Sequence, residues 1–270
     1  MIIMAAVGLM VGLPKSQRIP AIIHAVAEEE GFSDQVSSDI SDTDLKVEIL
    51  KPEAEVQAVK KRILIYHTHT YEAYQQDPEK PYTQLEKWRT KDETHNIVAV
   101  GRALSASLEA LGFAVTHDTT AFEPPTLTEA YARSLSMLEK RQQGGEYYDL
   151  YIDLHRDAIA STTSIRRTVG IGDTQIARFM VLVGQGTTGG YAEKPDWQAN
   201  KQIADSITQT LNEQIEGLAR DVKIKTGRFN QHIDDCCILI ECGTNWNTLE
   251  EVLNGIPYLA QAISVTLTQR

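Results

Sequence analysis

The chain has 270 residues, of which 42% are hydrophobic and 23% charged, and these values are ordinary for a globular protein. Its formal net charge of −11 disfavours binding to a nucleic-acid backbone, which basic proteins contact. The cysteines are Cys236, Cys237 and Cys242, and an odd number so close together excludes a disulfide framework. We expect small buried thiols rather than a zinc ribbon, because no paired CxxC spacing is present.

The amino-terminal part divides into two segments. Residues 1–14 are almost entirely apolar until Pro14 ends the run. The run is shorter than the roughly 20 residues of a bilayer span, and no basic residues precede it as in a signal peptide. We expect a clipped membrane anchor or signal segment, with an ordinary buried strand or helix as the alternative. Residues 15–60 are polar and acidic and predict a linker, so the compact domain is predicted over residues 61–270.

From residue 61 onward, strand and helix patterns alternate along the chain. Strands are predicted at 63–66, 113–117, 150–154, 179–183, 222–224 and 237–240, and helices at 96–111, 127–140, 197–218 and 249–267. The alternation predicts an α/β fold, a mostly parallel twisted sheet with helices on both faces. The glycine-rich stretch 184–190 lacks the following lysine and helix of a phosphate-binding loop, so we predict an ordinary loop there.

Three predicted strands run into residues that bind metals or transfer protons. The first leads to His67, His69 and Glu72, a second to His155, and a third to Glu241. Open α/β sheets bind ligands at the carboxyl ends of their strands. The sequence therefore predicts a functional site at that edge of the sheet.

The residue types at this edge are those of a zinc hydrolase. Such enzymes use about three protein ligands, leave a position open, and use a separate carboxylate as the base. His69 and Glu72 have the HxxE spacing and would bind the ion together with His155, and Glu241 would be the base. His67 is an alternative to His69, because the two side chains alternate along an extended chain.

Other polar residues provide alternatives and substrate contacts. The carboxylate or the third ligand would otherwise come from Asp92, Glu93 or His95. Substrate contacts are predicted for Arg156, Arg178 and Asn245. Either of the two arginines would steady negative charge that develops on the substrate.

The stretches YHTHTYEAY, NIVAVGRAL, DLHRDA and NQHIDDCCILIECGTNWNTLEE, in this order, resemble the stage II sporulation protein P family over residues 62–270. The resemblance implies a fold related to zinc N-acetylmuramoyl-L-alanine amidases. It also implies a membrane-anchored peptidoglycan hydrolase with its catalytic domain outside the cytoplasmic membrane, acting in engulfment during endospore formation. The implied cofactor is zinc. The implied partners, besides peptidoglycan, are stage II sporulation proteins D and M.

Two other functions fit part of the same pattern. An HxxE pair with a distant histidine and glutamate also suits a zinc carboxypeptidase or endopeptidase of peptidoglycan stem peptides. A non-catalytic wall-binding module is the third alternative, and the presence of every expected site residue argues against it. The same ligands would also take other divalent ions.

Overall fold

A computed structural model describes residues 59–270, and the predictions for segment 1–14 and for the linker up to residue 58 lie outside the described residues. The strands are β1 (Arg62–Tyr66), β2 (Ala114–His117), β3 (Leu150–Asp157), β4 (Thr168–Ile171), β5 (Thr174–Ala177), β6 (Phe179–Gly184), β7 (Lys223–Lys225) and β8 (Cys237–Thr244). The α-helices are α1 (Ile97–Ala110), α2 (Ala130–Gln143), α3 (Trp197–Gln214), α4 (Leu249–Leu253) and α5 (Ile256–Thr268).

Six strands form one sheet in the order β2-β1-β3-β8-β6-β7. β1, β2, β3 and β8 run parallel, whereas β6 is antiparallel to β8 and parallel to β7. The predicted mostly parallel sheet is therefore confirmed. The central strands β3 and β8 are buried almost throughout, which explains why the sequence shows them as apolar runs without alternation.

Helices cover both faces of this sheet, as predicted. α5 packs against α1 and α3, so these three helices form one layer. Gly101 of α1 lies against His67, whereas Ser134 of α2 bonds through its hydroxyl to Thr68 at 2.9 Å. Consecutive residues of an extended chain point in opposite directions, so α2 covers the opposite face from α1. No helix within residues 59–270 is long and apolar enough to cross a membrane.

The closing helix differs from its prediction. The predicted helix 249–267 is two helices, α4 and α5, separated at Asn254 and Gly255. Pro257 lies in the first turn of α5, where its missing N–H group costs nothing. Inside one continuous helix the same proline would remove a hydrogen bond and clash with the preceding turn, so the chain breaks before it.

A hairpin between β3 and β6 was not predicted. β4 and β5 pair antiparallel and form a separate two-stranded sheet. Gly172 has a φ of +56°, and with Asp173 it makes the two-residue connection. A Gly-Asp pair between short β-prone runs is a hairpin signal, so the information was present in the sequence.

Buried His67 and half-buried His117 form a pair at the edge of the sheet, next to Gly101 of α1. Nδ1 of His67 donates to the carbonyl of Leu154 at 2.9 Å, and its Nε2 lies 2.8 Å from Nε2 of His117. Burial lowers the pKa of His67 to about 3 and that of His117 to about 4, so both rings are neutral near pH 7. Since a carbonyl only accepts, the proton of His67 is on Nδ1, and His117 donates to its Nε2.

Gly101 makes room for this histidine pair, and Gly101→Ala is expected to disrupt it. A Cβ at position 101 would overlap Nε2 of His117 and would lie 2.7 Å from Nε2 of His67. Alanine gains about 1 kcal/mol of helix propensity, but overpacking typically costs about 1–3 kcal/mol and breaks a buried hydrogen bond as well. We expect a net loss of about 1–3 kcal/mol in the free energy of unfolding, measured by urea denaturation. Arg102→Ala, at an exposed neighbouring position, should change it by less than about 0.5 kcal/mol, and an equally stable Gly101→Ala chain would contradict the expectation.

Candidate active site

The segment after β1 and the end of β3 bring His69, Glu72 and His155 together. Nδ1 of His155 lies 3.5 Å from Oε2 of Glu72, and the rings of His69 and His155 meet edge to face with their centroids 5.3 Å apart. Glu241 of β8 is directly opposite His155 in the register of the two strands. The four residues that the sequence singled out for zinc chemistry therefore lie at one place on the sheet edge.

The His155 ring is positioned by a second carboxylate, Asp153. Nε2 of His155 lies 2.8 Å from Oδ1 of Asp153, the separation of an ion pair, although the angle falls outside hydrogen-bond geometry. Asp153 in turn accepts hydrogen bonds from the backbone N–H of Thr68 at 2.8 Å and from its hydroxyl at 2.7 Å. A carboxylate on the far nitrogen of a metal-binding histidine is a usual outer-shell arrangement, and it leaves Nδ1 of His155 facing Glu72.

A carboxylate also accompanies His69. Oε1 of Glu123 lies 3.8 Å from Nδ1 of His69, and Glu123 is held by an ion pair to Arg89 and by the backbone N–H of Tyr71 at 3.4 Å. Sequence reasoning missed both accessory carboxylates. Asp153 had a signal, since an acidic residue inside an apolar strand is costly unless it has a partner. Glu123 lies outside the helices and strands and had no such signal.

Glu72 is held in its ionised form. Its Oε2 accepts the backbone N–H of Arg156 at 2.9 Å. Burial by itself would raise the pKa of Glu72, but the hydrogen bond and charge of His155, with the charge of Arg156, outweigh burial and lower this pKa to about 2. An ionised carboxylate is the form that binds a metal ion.

The two histidines have opposite pKa shifts. Burial lowers the pKa of His69, and the neighbouring His155 lowers it further, so His69 is neutral. Burial also opposes charge on His155, but Asp153 and Glu72 outweigh it and raise the pKa of that ring. A cation is therefore stabilised between these two carboxylates, whether it is a proton on His155 or a metal ion beside it.

Glu241 has the opposite environment from Glu72. It is buried, and its Oε2 has no hydrogen-bond partner. Burial raises the pKa of Glu241 to about 8, while the charges of His155 and Arg220 oppose that rise. A carboxyl group whose pKa lies near neutral pH suits general acid–base catalysis. The low pKa of Glu72 suits a metal ligand, whereas the raised pKa of Glu241 suits a group that transfers protons.

These residues fit a divalent metal ion. Asp153 and Glu123 lie beside Nε2 of His155 and Nδ1 of His69, which leaves Nδ1 of His155 and Nε2 of His69 for an ion, and Nδ1 of His155 already faces Oε2 of Glu72 at 3.5 Å. Two imidazoles and one carboxylate, with a further carboxylate free to act as base, match the donor set of catalytic zinc sites. The same donors accept other divalent ions, so the choice of zinc does not follow from geometry alone.

His67 lies away from these residues, which corrects its place as an alternative ligand. Both of its ring nitrogens are engaged, with the carbonyl of Leu154 and with His117. The chain turns at residues 68–71, so His67 lies toward Gly101 of α1 whereas His69 faces His155. His117, which the sequence analysis left without a role, is the partner of His67.

The alternative carboxylates are also away from the site. Asp92 bonds to His95 at 2.9 Å, Glu93 lies 3.4 Å from Arg102, and both carboxylates are solvent-accessible. Neither Asp92 nor Glu93 contacts His69 or His155. Of the carboxylates that the sequence analysis considered as ligands, Glu72 is therefore the one that the fold brings to the histidines.

Two of the three predicted substrate contacts, Arg178 and Asn245, are corrected as well, because their side chains already have partners. Nη2 of Arg156 donates to the carbonyl of Trp88 at 3.2 Å. The amide of Asn245 bonds at 2.9 and 3.3 Å to the backbone of Ile159. The three guanidinium nitrogens of Arg178 donate to the carbonyls of Gly217, Arg166 and Ala219. Arg178 and Asn245 therefore support loops around the site, whereas Nε of Arg156 has no hydrogen-bond partner and a substrate contact of Arg156 stays a prediction.

A second group of possible ligands lies at the other end of β8. Asp234, Asp235 and the thiol of Cys236 are close enough together to bind an ion. Burial raises the pKa of that thiol, which disfavours the thiolate that metals bind. The three cysteines are free and buried, as predicted. We assign no ion to this cluster, since it precedes β8 whereas Glu241 lies near the end of that strand.

Comparison with solved structures defines the class of fold. The CwlD amidase from Clostridioides difficile, solved in complex with the GerS lipoprotein, superposes with a TM-score of 0.51 and 15% identity, over 78% of this chain and 98% of that chain. At this identity the likeness shows the fold, a mixed α/β fold that is found in an amidase. The family model for stage II sporulation protein P matches residues 14–264, and the chain belongs to that family.

A curated relative extends beyond this chain. Stage II sporulation protein P of Bacillus subtilis (strain 168) is 23% identical over 230 residues, which cover 79% of this chain and 53% of that protein. The chain thus spans about half the length of this relative.

Proposed function

We propose that the chain is a zinc-dependent peptidoglycan hydrolase that cleaves the amide between N-acetylmuramic acid and L-alanine. The observation that carries the proposal is the meeting of His69, Glu72, His155 and Glu241 at one edge of the sheet. Membership of the stage II sporulation protein P family and the fold found in an amidase support it. The cleavage would serve engulfment during sporulation.

His69, Glu72 and His155 would hold the zinc ion, which when bound polarises the scissile carbonyl and makes water more acidic. Glu241 is opposite His155 and has an unpaired buried oxygen, so it takes the proton of the attacking water. It then returns this proton to the amine of L-alanine as the amine leaves. Asp153 and Glu123 fix the orientation of the two imidazole rings.

Peptidoglycan digestion tests both the bond that is cut and the metal requirement. Purified peptidoglycan is incubated with the full chain and zinc, and the products are examined by mass spectrometry. We expect muramic acid with a free lactyl carboxyl group and stem peptides with a free L-alanine amine. A chelator should abolish the release, and added zinc should restore it.

The alternative activities give different products in the same digestion. Shortened stem peptides without free L-alanine amines would show a carboxypeptidase or endopeptidase instead. Binding without any product would favour a non-catalytic wall-binding module. Full activity in excess chelator, with no metal found by elemental analysis, would rule out the zinc mechanism.

For the cellular setting we infer a domain that is tethered to the cytoplasmic membrane and faces the wall, with stage II sporulation proteins D and M as partners. The proposed substrate supports the side of the membrane, because peptidoglycan lies outside it, and the tether and the partners are what membership of the family implies. Protease added to wall-less cells would digest the domain, and a protected protein in the cytoplasmic fraction would contradict the inference.

A further inference from the structure

The row of cross-strand pairs that contains His155 and Glu241 continues across the sheet beyond Glu241. His155 pairs with Glu241, and Glu241 pairs with Met180 of β6. On the far side of β6, the backbone N–H of Arg220 donates to the carbonyl of Phe179 at 2.8 Å, which places Arg220 next to Met180. Paired residues on neighbouring strands project from the same face. The side chain of Arg220 therefore lies on the face that carries His155 and Glu241.

The guanidinium of Arg220 extends back toward the end of β3. Its Nη1 lies 2.8 Å from Oδ2 of Asp157, a residue two positions after His155. The path from β6 to Asp157 crosses the end of β8, which is why the positive charge of Arg220 acts on Glu241. The proposed metal ligands and Arg220 thus flank Glu241 on opposite sides.

One edge of this guanidinium has no partner. Nε and Nη2 of Arg220 are both buried without a hydrogen bond, whereas Nη1 is taken by Asp157. In a planar guanidinium Nε and Nη2 lie along the same edge, which is the side-on fork that binds both oxygens of a carboxylate. Among the partnerless buried atoms of residues 59–270, no other arginine contributes this pair.

Burying these two donors without a partner is costly in free energy. The charge and the shape of the fork indicate what kind of ligand it binds. A buried donor without a partner loses the full free energy of its lost hydration. The side chain of Arg220 is 16% exposed, but Nε and Nη2 are themselves buried, so a ligand reaches them only after neighbouring side chains move. A planar anion satisfies both donors at once, whereas the neighbouring Arg178 already donates to three carbonyls.

We propose that Arg220 binds the α-carboxylate of the D-glutamyl residue in the stem peptide. The inference rests on the proposed function, since this carboxylate is the one nearest to the amide that the amidase would cleave. With the amide at the proposed metal ligands and the peptide crossing Glu241, that carboxylate would lie on the side of Arg220. Asp157 holds Nη1 and thereby fixes the plane of the fork.

Two muramyl dipeptides test the proposal, one ending in D-glutamate and one in D-isoglutamine, in which the same carboxylate is an amide. Their dissociation constants are measured by calorimetry on the full chain carrying Glu241→Gln, which keeps the ligands intact. We expect tighter binding of the carboxylate by roughly 10- to 100-fold, the range for hydrogen bonds to a charged group. Arg220→Gln on the same background should abolish the preference, and Arg102→Gln, at an exposed position, should keep it.

Arg220→Lys is the control for a folding defect, because lysine still pairs with Asp157 but has no side-on fork. We expect this variant to melt near the parent temperature and to lose most of the preference. Equal binding of both dipeptides by the parent, or a full preference in either Arg220 variant, would overturn the proposal. Hydrolysis of peptidoglycan by the unaltered chain tests the proposed amidase activity separately. If the chain cleaves the amide but shows no carboxylate preference, only the proposed role of Arg220 is wrong.

Discussion

Glu241→Gln is expected to lower turnover by roughly 10²–10⁴-fold, the contribution typical of a general acid–base group. Glutamine keeps the shape of the side chain but does not accept the water proton. The metal content should stay at the parent value, because the ligands are unchanged. The melting temperature should not fall, since a buried carboxyl group whose pKa is raised to about 8 is itself costly in its charged form. Steady-state kinetics, elemental analysis and calorimetry measure the three quantities.

A matched control for this variant is Glu216→Gln, which removes one carboxylate at an exposed position. It should leave turnover and metal content at the parent values. If Glu241→Gln instead loses metal in proportion to activity, Glu241 is a ligand. Glu72 would then become the candidate base, and the two roles proposed above would be exchanged.

His69→Ala and His155→Ala should each lose both metal and activity. Outer-shell partners of metal-binding histidines typically contribute about 10–100-fold in metal affinity, so loss of a ligand itself should cost at least about 100-fold. Zinc affinity is measured by competition with a chromophoric chelator, and activity by release of L-alanine amines. Retention of parent affinity in either variant would remove that histidine from the metal site.

His67→Ala is the informative companion to these variants. It lies two residues from His69 but bonds to Leu154 and His117. We expect it to keep most of its metal and to lose about 1–3 kcal/mol of stability, because it leaves the buried carbonyl of Leu154 without its partner. The pair of variants thus separates two histidines that have similar sequence surroundings.

Much of the fold followed from the sequence because its signals are local. Apolar runs marked β1, β3 and β8, and helical spacing marked α1 and α3. The strand-end rule then placed His69, Glu72, His155 and Glu241 at a common edge, where the structure has them. Their roles as ligands and base stay predictions until the variants are measured.

The remaining features depend on contacts between distant parts of the chain. Whether His67 or His69 faces the site depends on the turn at residues 68–71, and strand periodicity alone would put both side chains on one face. The ion pair of Arg220 with Asp157 joins residues that are 63 positions apart, and the pairing of Arg220 next to β6 has no sequence signature. Arg178 had the residue type expected at a substrate site, but its donors are used by backbone carbonyls.

The reversal of β6 within the sheet has a consequence for how substrate range can change. β3 ends at Asp157 on the edge that carries the site, and β6, because it runs antiparallel to β8, begins at Phe179 on that same edge. The segment 158–178, which contains the β4–β5 hairpin, therefore leaves the site and returns to it. Such an excursion can be lengthened or exchanged without shifting the register of any strand in the main sheet, and the entropic cost of extra loop residues grows slowly. One contiguous insertion in this segment can thus change the rim of the site while the proposed metal ligands and Glu241 keep their positions.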